Sequence, residues 1–431
     1  MIKAISSELV VPCEETPKNP IWLSNLDLAA RRGHTATVYF YRPNNNTIHD
    51  FFAVESLKSS LAKVLVPFYP LAGRLGMDRN GRIEINCTGE GALFVVARTD
   101  AMLNDYDNFA PSTEMRNLFV PQATQPDPPC ILLMVQVTLF KCGGVVFGTA
   151  LHHSIVDARC AFHFIETWTS IARGETSCIE QPFLDRTILR ARLNRKVMLD
   201  PLEYISDPTY VPSTISASYT SSIIKISRKH INALKVRCGD TTGARVSVFR
   251  AINALIWRCT CMARKLDTNS KSRLYTMIDM RNRMCPPLPS TYFGNAVIRT
   301  SVSAVIGDVI SGPISHVARR LHGATNQGDD YARSLINYLE TADMGNLPRS
   351  GLPASDLRVI SWIGLPVNNA DFGLGEPILC APALMYYSGY VCLMDSPGKD
   401  AGVTVVMSLE PESMPGFKEL FFEELAAILH V

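Results

Sequence analysis

His153 and Asp157 are the residues whose types and spacing best suit catalysis. Histidine titrates near neutral pH and can take a proton from a hydroxyl or an amine, while a nearby carboxylate can orient it. The apolar run over 144–151 before them is typical of a buried strand. After them, apolar residues recur at helical spacing until Gly174. The pattern therefore predicts a strand-to-helix junction that presents His153 to a cleft.

From the residues alone, other interpretations of this junction stay open. His153 could be a buried structural histidine and Asp157 a helix cap. A metal site built from His152, His153 and Asp157 lacks a companion cluster at zinc spacing. Ser154 lacks the flanking glycines of a hydrolase nucleophile.

Size and composition bound the class of protein. The 431 residues suit two domains, and 47% hydrophobic against 19% charged residues favours a large buried core. A net charge of +2 without charge runs argues against nucleic acid or a membrane surface as partner. The twelve scattered cysteines, with no signal-peptide core or membrane-spanning run, predict a soluble cytoplasmic protein.

Strand and helix signals alternate irregularly, so the sequence predicts an α+β fold of mixed sheets with covering helices. We expect an N-terminal domain over 1–190, a crossover linker over 191–214 and a C-terminal domain over 215–431. Residues 131–140 and 144–151 read as a hairpin, and Ser227, Ser247 and Ser413 as helix starts. Further strands are predicted over 37–41, 82–86, 223–226 and 403–409, and helices over 54–65, 247–266 and 329–339.

A second motif, Asp371-Phe372-Gly373-Leu374-Gly375, lies far along the chain from His153. Two glycines that flank one residue permit a tight backbone turn which other residues resist. Without further information, a structural loop is the simplest interpretation.

With this second motif, the chain resembles the plant BAHD acyltransferases, which transfer an acyl group from coenzyme A to an alcohol or an amine. That family carries a His-x-x-x-Asp-Gly motif in its first half and Asp-Phe-Gly-Trp-Gly near its C-terminus. Stretches over 67–75, 256–259 and 292–295 also match it, and the resemblance covers nearly the whole chain. The start, over 15–17, 21–25 and 34–41, resembles the hydroxycinnamoyl-CoA shikimate/quinate branch.

The resemblance implies a chloramphenicol-acetyltransferase-like fold, with two similar-sized domains and a tunnel at their interface. Residues of about 362–385 would join the N-terminal domain. It further implies acyl-coenzyme A as co-substrate, no permanently bound cofactor, no metal, a small alcohol or amine acceptor of phenylpropanoid-type specialised metabolism, and a monomer.

For the site, the resemblance implies that His153 is the general base and that Asp157 turns towards an arginine. Asp371, supported by Gly373, would pair with Arg281 and tie the two domains together. Ser247 is the candidate coenzyme A contact.

For the acceptor side, the resemblance points to a set of candidate residues: His34, Thr37, Tyr39, Ile360 and Arg349. Ile360 replaces a threonine of the shikimate branch, so we expect an acceptor other than simply shikimate or quinate. The resemblance to the hydroxycinnamoyl-CoA branch implies an aromatic acyl donor, a hydroxycinnamoyl-CoA. The chain also departs from the family at Ala158 and Leu374, where the family has glycine and tryptophan.

Three rival functions remain. The same fold serves peptide-synthetase condensation domains, but this chain has no carrier segment. A thioester hydrolase would use water in place of the acceptor. A non-catalytic ligand-binding protein is the third, motivated by Ala158 and Leu374.

Overall fold

The computed structural model describes residues 2–42, 54–106, 109–122, 129–175, 180–192, 201–205, 218–239, 245–348, 351–398 and 402–429. Within these ranges the strands are β1 (Lys3–Val10), β2 (Ile21–Trp22), β3 (His34–Tyr41), β4 (Arg74–Met77), β5 (Ile83–Asn86), β6 (Ala92–Thr99), β7 (Cys130–Ile131), β8 (Leu133–Phe140), β9 (Val145–His152), β10 (Thr220–Ile226), β11 (Lys271–Asp279), β12 (Val297–Val305), β13 (Leu357–Ser361), β14 (Leu379–Pro382), β15 (Tyr390–Asp395) and β16 (Val403–Leu409).

The helices of the described ranges are α1 (Asn25–Ala29), α2 (Val54–Val64), α3 (Thr113–Phe119), α4 (Ala158–Ala172), α5 (Arg228–Arg237), α6 (Val248–Ala263), α7 (Ile306–Ser311), α8 (Ile314–Thr325), α9 (Asp329–Thr341) and α10 (Met414–Ile428). Short 3-10 turns connect several of them. The predicted linker over 191–214 lies largely outside the described residues.

Two mixed sheets dominate the described structure. The first sheet runs in the order β1-β6-β8-β9-β3-β14, and the second in the order β10-β16-β15-β13-β11-β12. A smaller sheet has the order β2-β5-β4-β7. The strand β14 belongs to the second half of the chain, yet it pairs antiparallel with β3 in the first sheet. The α+β prediction with mixed sheets and covering helices is confirmed.

The hairpin β8–β9 carries His153 and was predicted, with one correction. The strands pair antiparallel from Leu133 opposite Leu151 to Leu139 opposite Val145. The predicted strand over 131–140 was wrong at its start, because β7 pairs with β4 of the small sheet while β8 belongs to the first sheet. Gly148 is required in β9, since a Cβ there would collide with the carbonyl oxygen of Phe119.

Three of the predicted helix starts carry the expected serine or aspartate cap. The Asp157 side chain accepts from the backbone N–H of Cys160 at the start of α4, and Ser227 and Ser247 cap α5 and α6 in the same way. Ser413 precedes α10 but makes no side-chain cap, because its own backbone is already helical (φ −89°, ψ −27°). That cap prediction was wrong, although the helix itself is present.

Helix α4 packs behind the β8–β9 hairpin in the first half of the molecule. Its apolar face buries Phe164, Ile165 and Trp168, and the indole N–H of Trp168 donates to the Ser60 hydroxyl of α2 at 2.9 Å. Burying a side chain of this size stabilises the fold by roughly 1.5–3 kcal/mol. Helix α4 is thereby held against α2.

Candidate active site

A cavity of about 310 Å³ lies between the two large sheets. Alternate residues of β3 and β9 line one side of it, and alternate residues of β11, β12 and β13 line the other. The site residues predicted from the sequence that line this cavity are His153, Asp157, Arg281, Thr37, Tyr39 and Ile360.

His153 follows the last residue of β9, in the turn that leads to α4. Its backbone N–H donates to the carbonyl of Gly33 at 3.0 Å, and its own carbonyl accepts from the Asn295 side-chain amide at 2.9 Å. The backbone is thus fixed from both halves of the chain. Nδ1 of the ring is buried and has no hydrogen-bond partner among the described residues.

The imidazole of His153 is kept neutral by its surroundings. Burial lowers its pKa below the ordinary value of 6.5, and the positive charge of Arg31 lowers it further. A neutral imidazole can accept a proton, so the environment favours the form that a general base needs.

His152 differs from its neighbour in position and contacts. It is fully buried, and its ring packs edge-on against His34 with the centroids 5.2 Å apart. Its ring nitrogens lie 3.3 Å from the backbone N–H groups of Gly33 and Ser154. His152 is not among the described lining residues of the cavity, so the two neighbouring histidines do not converge on one ligand.

Asp157 and Arg281 form a buried ion pair that joins the two halves of the chain. Nη2 of Arg281 lies 2.9 Å and 3.1 Å from the two carboxylate oxygens of Asp157, and both side chains are almost fully buried. The backbone N–H groups of Cys160 and Ala296 also donate to this carboxylate. Burial alone would raise the pKa of Asp157, but Arg281 and these donors hold it below its usual value. The carboxylate therefore remains ionised and oriented.

A second buried ion pair, between Asp27 and Arg186, braces the same turn. The carboxylate and the guanidinium lie 3.1 Å apart, and both side chains are buried. Arg186 also donates to the carbonyl of Ile155 at 2.9 Å. Asn295, which holds the carbonyl of His153, donates to Asp27 through its side-chain amide and its backbone N–H.

Sequence reasoning missed this second pair. Its members are far apart in the chain, and neither belongs to a recognisable catalytic pattern. The one available signal was Ser24 three residues before Asp27, a capping box that the structure contains at the start of α1.

The second motif forms a turn rather than an interdomain ion pair. One carboxylate oxygen of Asp371 accepts from the backbone N–H groups of Gly373 at 2.7 Å and Gly375 at 2.8 Å. Both glycines have positive φ, 98° and 89°. The predicted pairing of Asp371 with Arg281 is wrong, because Arg281 contacts Asp157 and Asp279 instead.

The turn is also anchored to the first half of the chain by packing. The ring of Phe372 lies against Phe147 and Trp168, with centroid separations of 4.8 Å and 5.2 Å. Leu374 packs against the same core. Nη1 of Arg173 donates to the backbone carbonyl of Asp371, which ties the turn to the end of α4.

Two other predicted contacts are not among the described lining residues, and a third cannot be placed. The ring of His34 is directed at the carbonyl of Ile131, with Nε2 at 2.7 Å, and is not among the described lining residues. Ser247 is an exposed helix cap that is likewise absent from that lining. Arg349 lies outside the described residues.

The cavity instead contains arginines that the sequence analysis did not single out: Arg31, Arg159, Arg299 and Arg358. Arg31 stacks on the ring of Tyr386 at 4.2 Å and donates to its hydroxyl at 3.1 Å. Strand alternation could have suggested Arg358, since it lies two residues before Ile360 on β13.

The described residues include no cluster of three or more His, Cys, Asp or Glu side chains able to hold a metal ion. Within the same residues, none of the helices combines the length and the hydropathy needed to span a bilayer.

A buried neutral histidine, held over a cavity between two sheets, suits proton abstraction from a small acceptor.

The chain is similar to known transferases over nearly its whole length. The model of the Transferase family matches residues 1–424. The chain is 44% identical to putrescine hydroxycinnamoyltransferase 1 of Oryza sativa subsp. japonica over 98% of this chain and 99% of that protein. It is 40% identical to shikimate O-hydroxycinnamoyltransferase of Nicotiana tabacum, with the same coverage of both chains.

Solved structures share the fold at low sequence identity. Vinorine synthase matches with a TM-score of 0.75 and 23% identity over 96% of each chain. F. graminearum TRI101 complexed with coenzyme A and deoxynivalenol matches with a TM-score of 0.80 and 18% identity, over 93% of this chain and 97% of that one. At these identities the likeness describes the architecture.

Proposed function

This chain belongs to the Transferase family of BAHD acyl-CoA-dependent acyltransferases, and on that premise we propose that it transfers a hydroxycinnamoyl group to a small alcohol or amine, with His153 as general base. The observation that carries the proposal is the neutral imidazole of His153 on the cavity between the two large sheets. The names of the similar proteins support the acyl group, since they are hydroxycinnamoyltransferases that differ in their acceptors.

The reaction needs one proton transfer in each direction. The acceptor oxygen or nitrogen attacks the thioester carbonyl carbon while His153 takes its proton. The tetrahedral intermediate then collapses, the carbon–sulfur bond breaks, and the imidazolium returns the proton to the thiolate of coenzyme A. Because a thioester is already activated, holding both substrates in one cavity is enough and no acyl-enzyme is required.

In this proposal Asp157 is a positioning residue. Its carboxylate is fully engaged by Arg281 and by two backbone N–H groups, so its role is to fix the turn that carries His153. Asn295 and the Asp27–Arg186 pair hold the two carbonyls on either side of that turn.

The two departures from the family motifs are compatible with catalysis. Ala158 is the first residue of α4 and lines the cavity. Its φ is not positive, since Phe109 and Lys265 are the described non-glycine residues with positive φ. A methyl group therefore causes no backbone strain at position 158. Leu374 retains apolar packing against the core, where an indole would bury a larger surface.

We also propose that residues 1–190, joined by about 362–385, act as one domain and residues 215–431 as the other. The pairing of β14 with β3 supports that division, because it inserts a late strand into the first sheet. His153 would then work at the boundary, with Asp157–Arg281 as the main electrostatic link across it.

The test is a mass-spectrometric search for acylated product with p-coumaroyl-CoA and a panel of alcohols and amines. We expect an acylated product whose formation matches the release of free thiol. Thiol release that needs no acceptor would indicate a hydrolase instead. Tight binding of coenzyme A with no product from any acceptor would indicate a ligand-binding protein.

A further inference from the structure

Helix α5 and the end of the strand before it present a strongly cationic surface. Residues 225–237 contain no aspartate or glutamate and five lysines and arginines, namely Lys225, Arg228, Lys229, Lys235 and Arg237. Four of them are exposed, and Lys235 is half-buried. Among the described residues, none of the five takes part in an ion pair. In a chain with a net charge of only +2, these side chains form a local excess of positive charge.

Helix α10 presents the opposite charge beside α5. Glu419 and Glu423 lie on its exposed side, Glu424 is half-buried, and Lys418 is the single cation of the helix. These three carboxylates likewise form no ion pair with another residue of the described ranges. Because α5 contacts α10 and both pack against α6, the two helices turn their exposed sides away from α6. Their outer face therefore has one positive half and one negative half.

Each half of this face also exposes an apolar side chain. Val236 of α5 is 81% exposed, and Phe422 of α10 is 50% exposed. Val236 follows Lys229 by seven residues and Phe422 follows Glu419 by three, spacings that place each apolar residue on the charged side of its helix. Apolar side chains surrounded by a polar rim are the usual composition of an interface between proteins.

The order of the charges selects the kind of partner. A uniform polyanion would be attracted by α5 and repelled by α10, so neither a nucleic acid nor an anionic membrane surface matches the whole face. A matching partner carries both signs in the reverse order. The same face of a second copy provides that order, because a two-fold axis running between the two helices places α5 of each copy opposite α10 of the other.

The size of the face sets the strength of the pairing. Helix α5 has 10 residues and α10 has 15, so they are about 15 Å and about 22 Å long and together about 20 Å wide. Two such faces bury roughly 1,000 Å² in total, at the lower end for specific interfaces. A contact of this size that depends on charge is reversible, and it weakens as salt screens the charges.

We propose that the α5–α10 face, defined by the charged residues above together with Val236 and Phe422, pairs two copies of this chain in a reversible dimer. The family resemblance implies a monomer, and the dimer departs from that expectation. None of the residues of the face is among the described lining residues of the cavity, so each copy keeps its own site. The dimer and the acyltransferase function can therefore be tested separately.

The first test is sedimentation velocity of the full chain over a series of concentrations. At low salt we expect the weight-average mass to rise from one chain towards two between low micromolar and several hundred micromolar protein. In about 1 M salt, where the screening length falls to about 3 Å, the dimer should dissociate. A mass of one chain at every concentration at low salt would overturn the proposal. Growth beyond two chains would also overturn it, since a two-fold contact closes the assembly.

The second test exchanges charges between the two helices. One variant carries Arg228→Glu with Lys229→Glu, and another carries Glu419→Lys with Glu423→Lys. Each variant alone places like charges opposite each other, so it should remain monomeric over the same concentration range. In an equal mixture, every α5 again faces an α10 of opposite charge, and a mixed dimer should form. A dimer in either variant alone, or no association in the mixture of folded variants, would contradict the assignment.

Two further variants separate this face from general charge effects. Arg98→Glu with Lys141→Glu reverses two exposed cations of the first half of the chain and should dimerise like the wild type. Phe422→Ser changes no charge and should weaken the dimer about tenfold, a typical cost of losing an interface aromatic. In all these variants kcat/KM per chain should stay the same, because none of the substituted residues is among the described lining residues. Loss of the dimer in the Arg98 and Lys141 control would show that net charge, and not this face, governs association.

Discussion

The two motifs that carry the family resemblance are built by different physics. In the first, Asp157 is buried, ionised and paired with Arg281 across the two halves of the chain. In the second, Asp371 is partly exposed, and its carboxylate accepts from the backbone of its own turn. Both are aspartates of short motifs, yet one depends on a buried counter-ion and the other on backbone geometry.

A motif aspartate therefore does not imply an ion pair. A buried carboxylate requires charge compensation, because its desolvation costs several kcal/mol. A carboxylate at a turn only needs N–H donors within reach, and two positive-φ glycines, Gly373 and Gly375, place those donors correctly. The contrast predicts large effects in the first motif and small ones in the second.

The largest effect is expected at His153. Replacing it with alanine should lower turnover by about 10²–10⁴-fold, the range for loss of a general base. The fold should persist, because the backbone contacts of residue 153 with Gly33 and Asn295 do not use the ring. Stopped-flow or end-point thiol release measures the change, and the exposed His316 provides a control as His316→Ala. Turnover within a few-fold of wild type would remove His153 from the mechanism.

The buried ion pair should come next. Asp157→Asn leaves Arg281 without its main counter-ion, and cutting a buried pair costs about 3–5 kcal/mol. Urea unfolding should show this loss together with lower activity. The exposed pair Arg320–Asp308 is the comparison, since Asp308→Asn should cost no more than about 1 kcal/mol. Equal losses in the two variants would mean that burial does not distinguish these pairs.

The elements around His153 could be predicted from local pattern. Apolar runs, a turn and a helix cap are short-range signals, so the hairpin and α4 follow from the residues themselves. The α+β class and the strand at Val403–Leu409 follow for the same reason.

The pairing of distant charges could not be predicted in this way. Arg281 pairs with Asp157 and not with Asp371, because Arg281 follows the end of β11 and lies beside the N-terminal end of α4. Arg186 and Asp27 meet only once α1 and the chain after α4 are in place. Such contacts depend on how the sheets are arranged, which no single window of sequence reports.

The acceptor-side prediction differs from the structure at His34 and Arg358 for a related reason. The resemblance nominated His34 by its place in a run of residues, but that ring is directed at the carbonyl of Ile131. Arg358 was overlooked because an arginine in a strand is usually exposed. Its burial follows from the neighbouring tyrosines, which come from two other strands or loops.

A smaller effect is expected in the second motif. Gly373→Ala places a side chain at φ 98°, where a non-glycine residue is strained, at a cost of about 1–3 kcal/mol. Space is not the obstacle, because no atom lies within 4 Å of the added Cβ. The helical Gly323 of α8 also has open space around it, so Gly323→Ala should stabilise the protein by about 0.5–1 kcal/mol. Thermal melts of both variants should move in opposite directions; a Gly373→Ala melt at or above wild type would show that the turn tolerates a side chain.

The smallest effect is expected in the pH dependence of kcat/KM. Burial and the charge of Arg31 lower the pKa of His153 below 6.5, so the neutral base persists below that pH. Activity should be lost as pH falls through that lowered pKa, and the acid limb of kcat/KM should lie below pH 6.5. Arg31→Met removes a positive charge that disfavours the imidazolium, so the limb should move to higher pH. Asp371→Asn should leave the acid limb in place, because the turn of the second motif does not contact the imidazole of His153. The amide oxygen of the asparagine can still accept from the N–H groups of Gly373 and Gly375, so the turn itself should persist. A limb that moves in the Asp371 variant but not in the Arg31 variant would mean that the second motif, and not the first, sets the proton chemistry of the site.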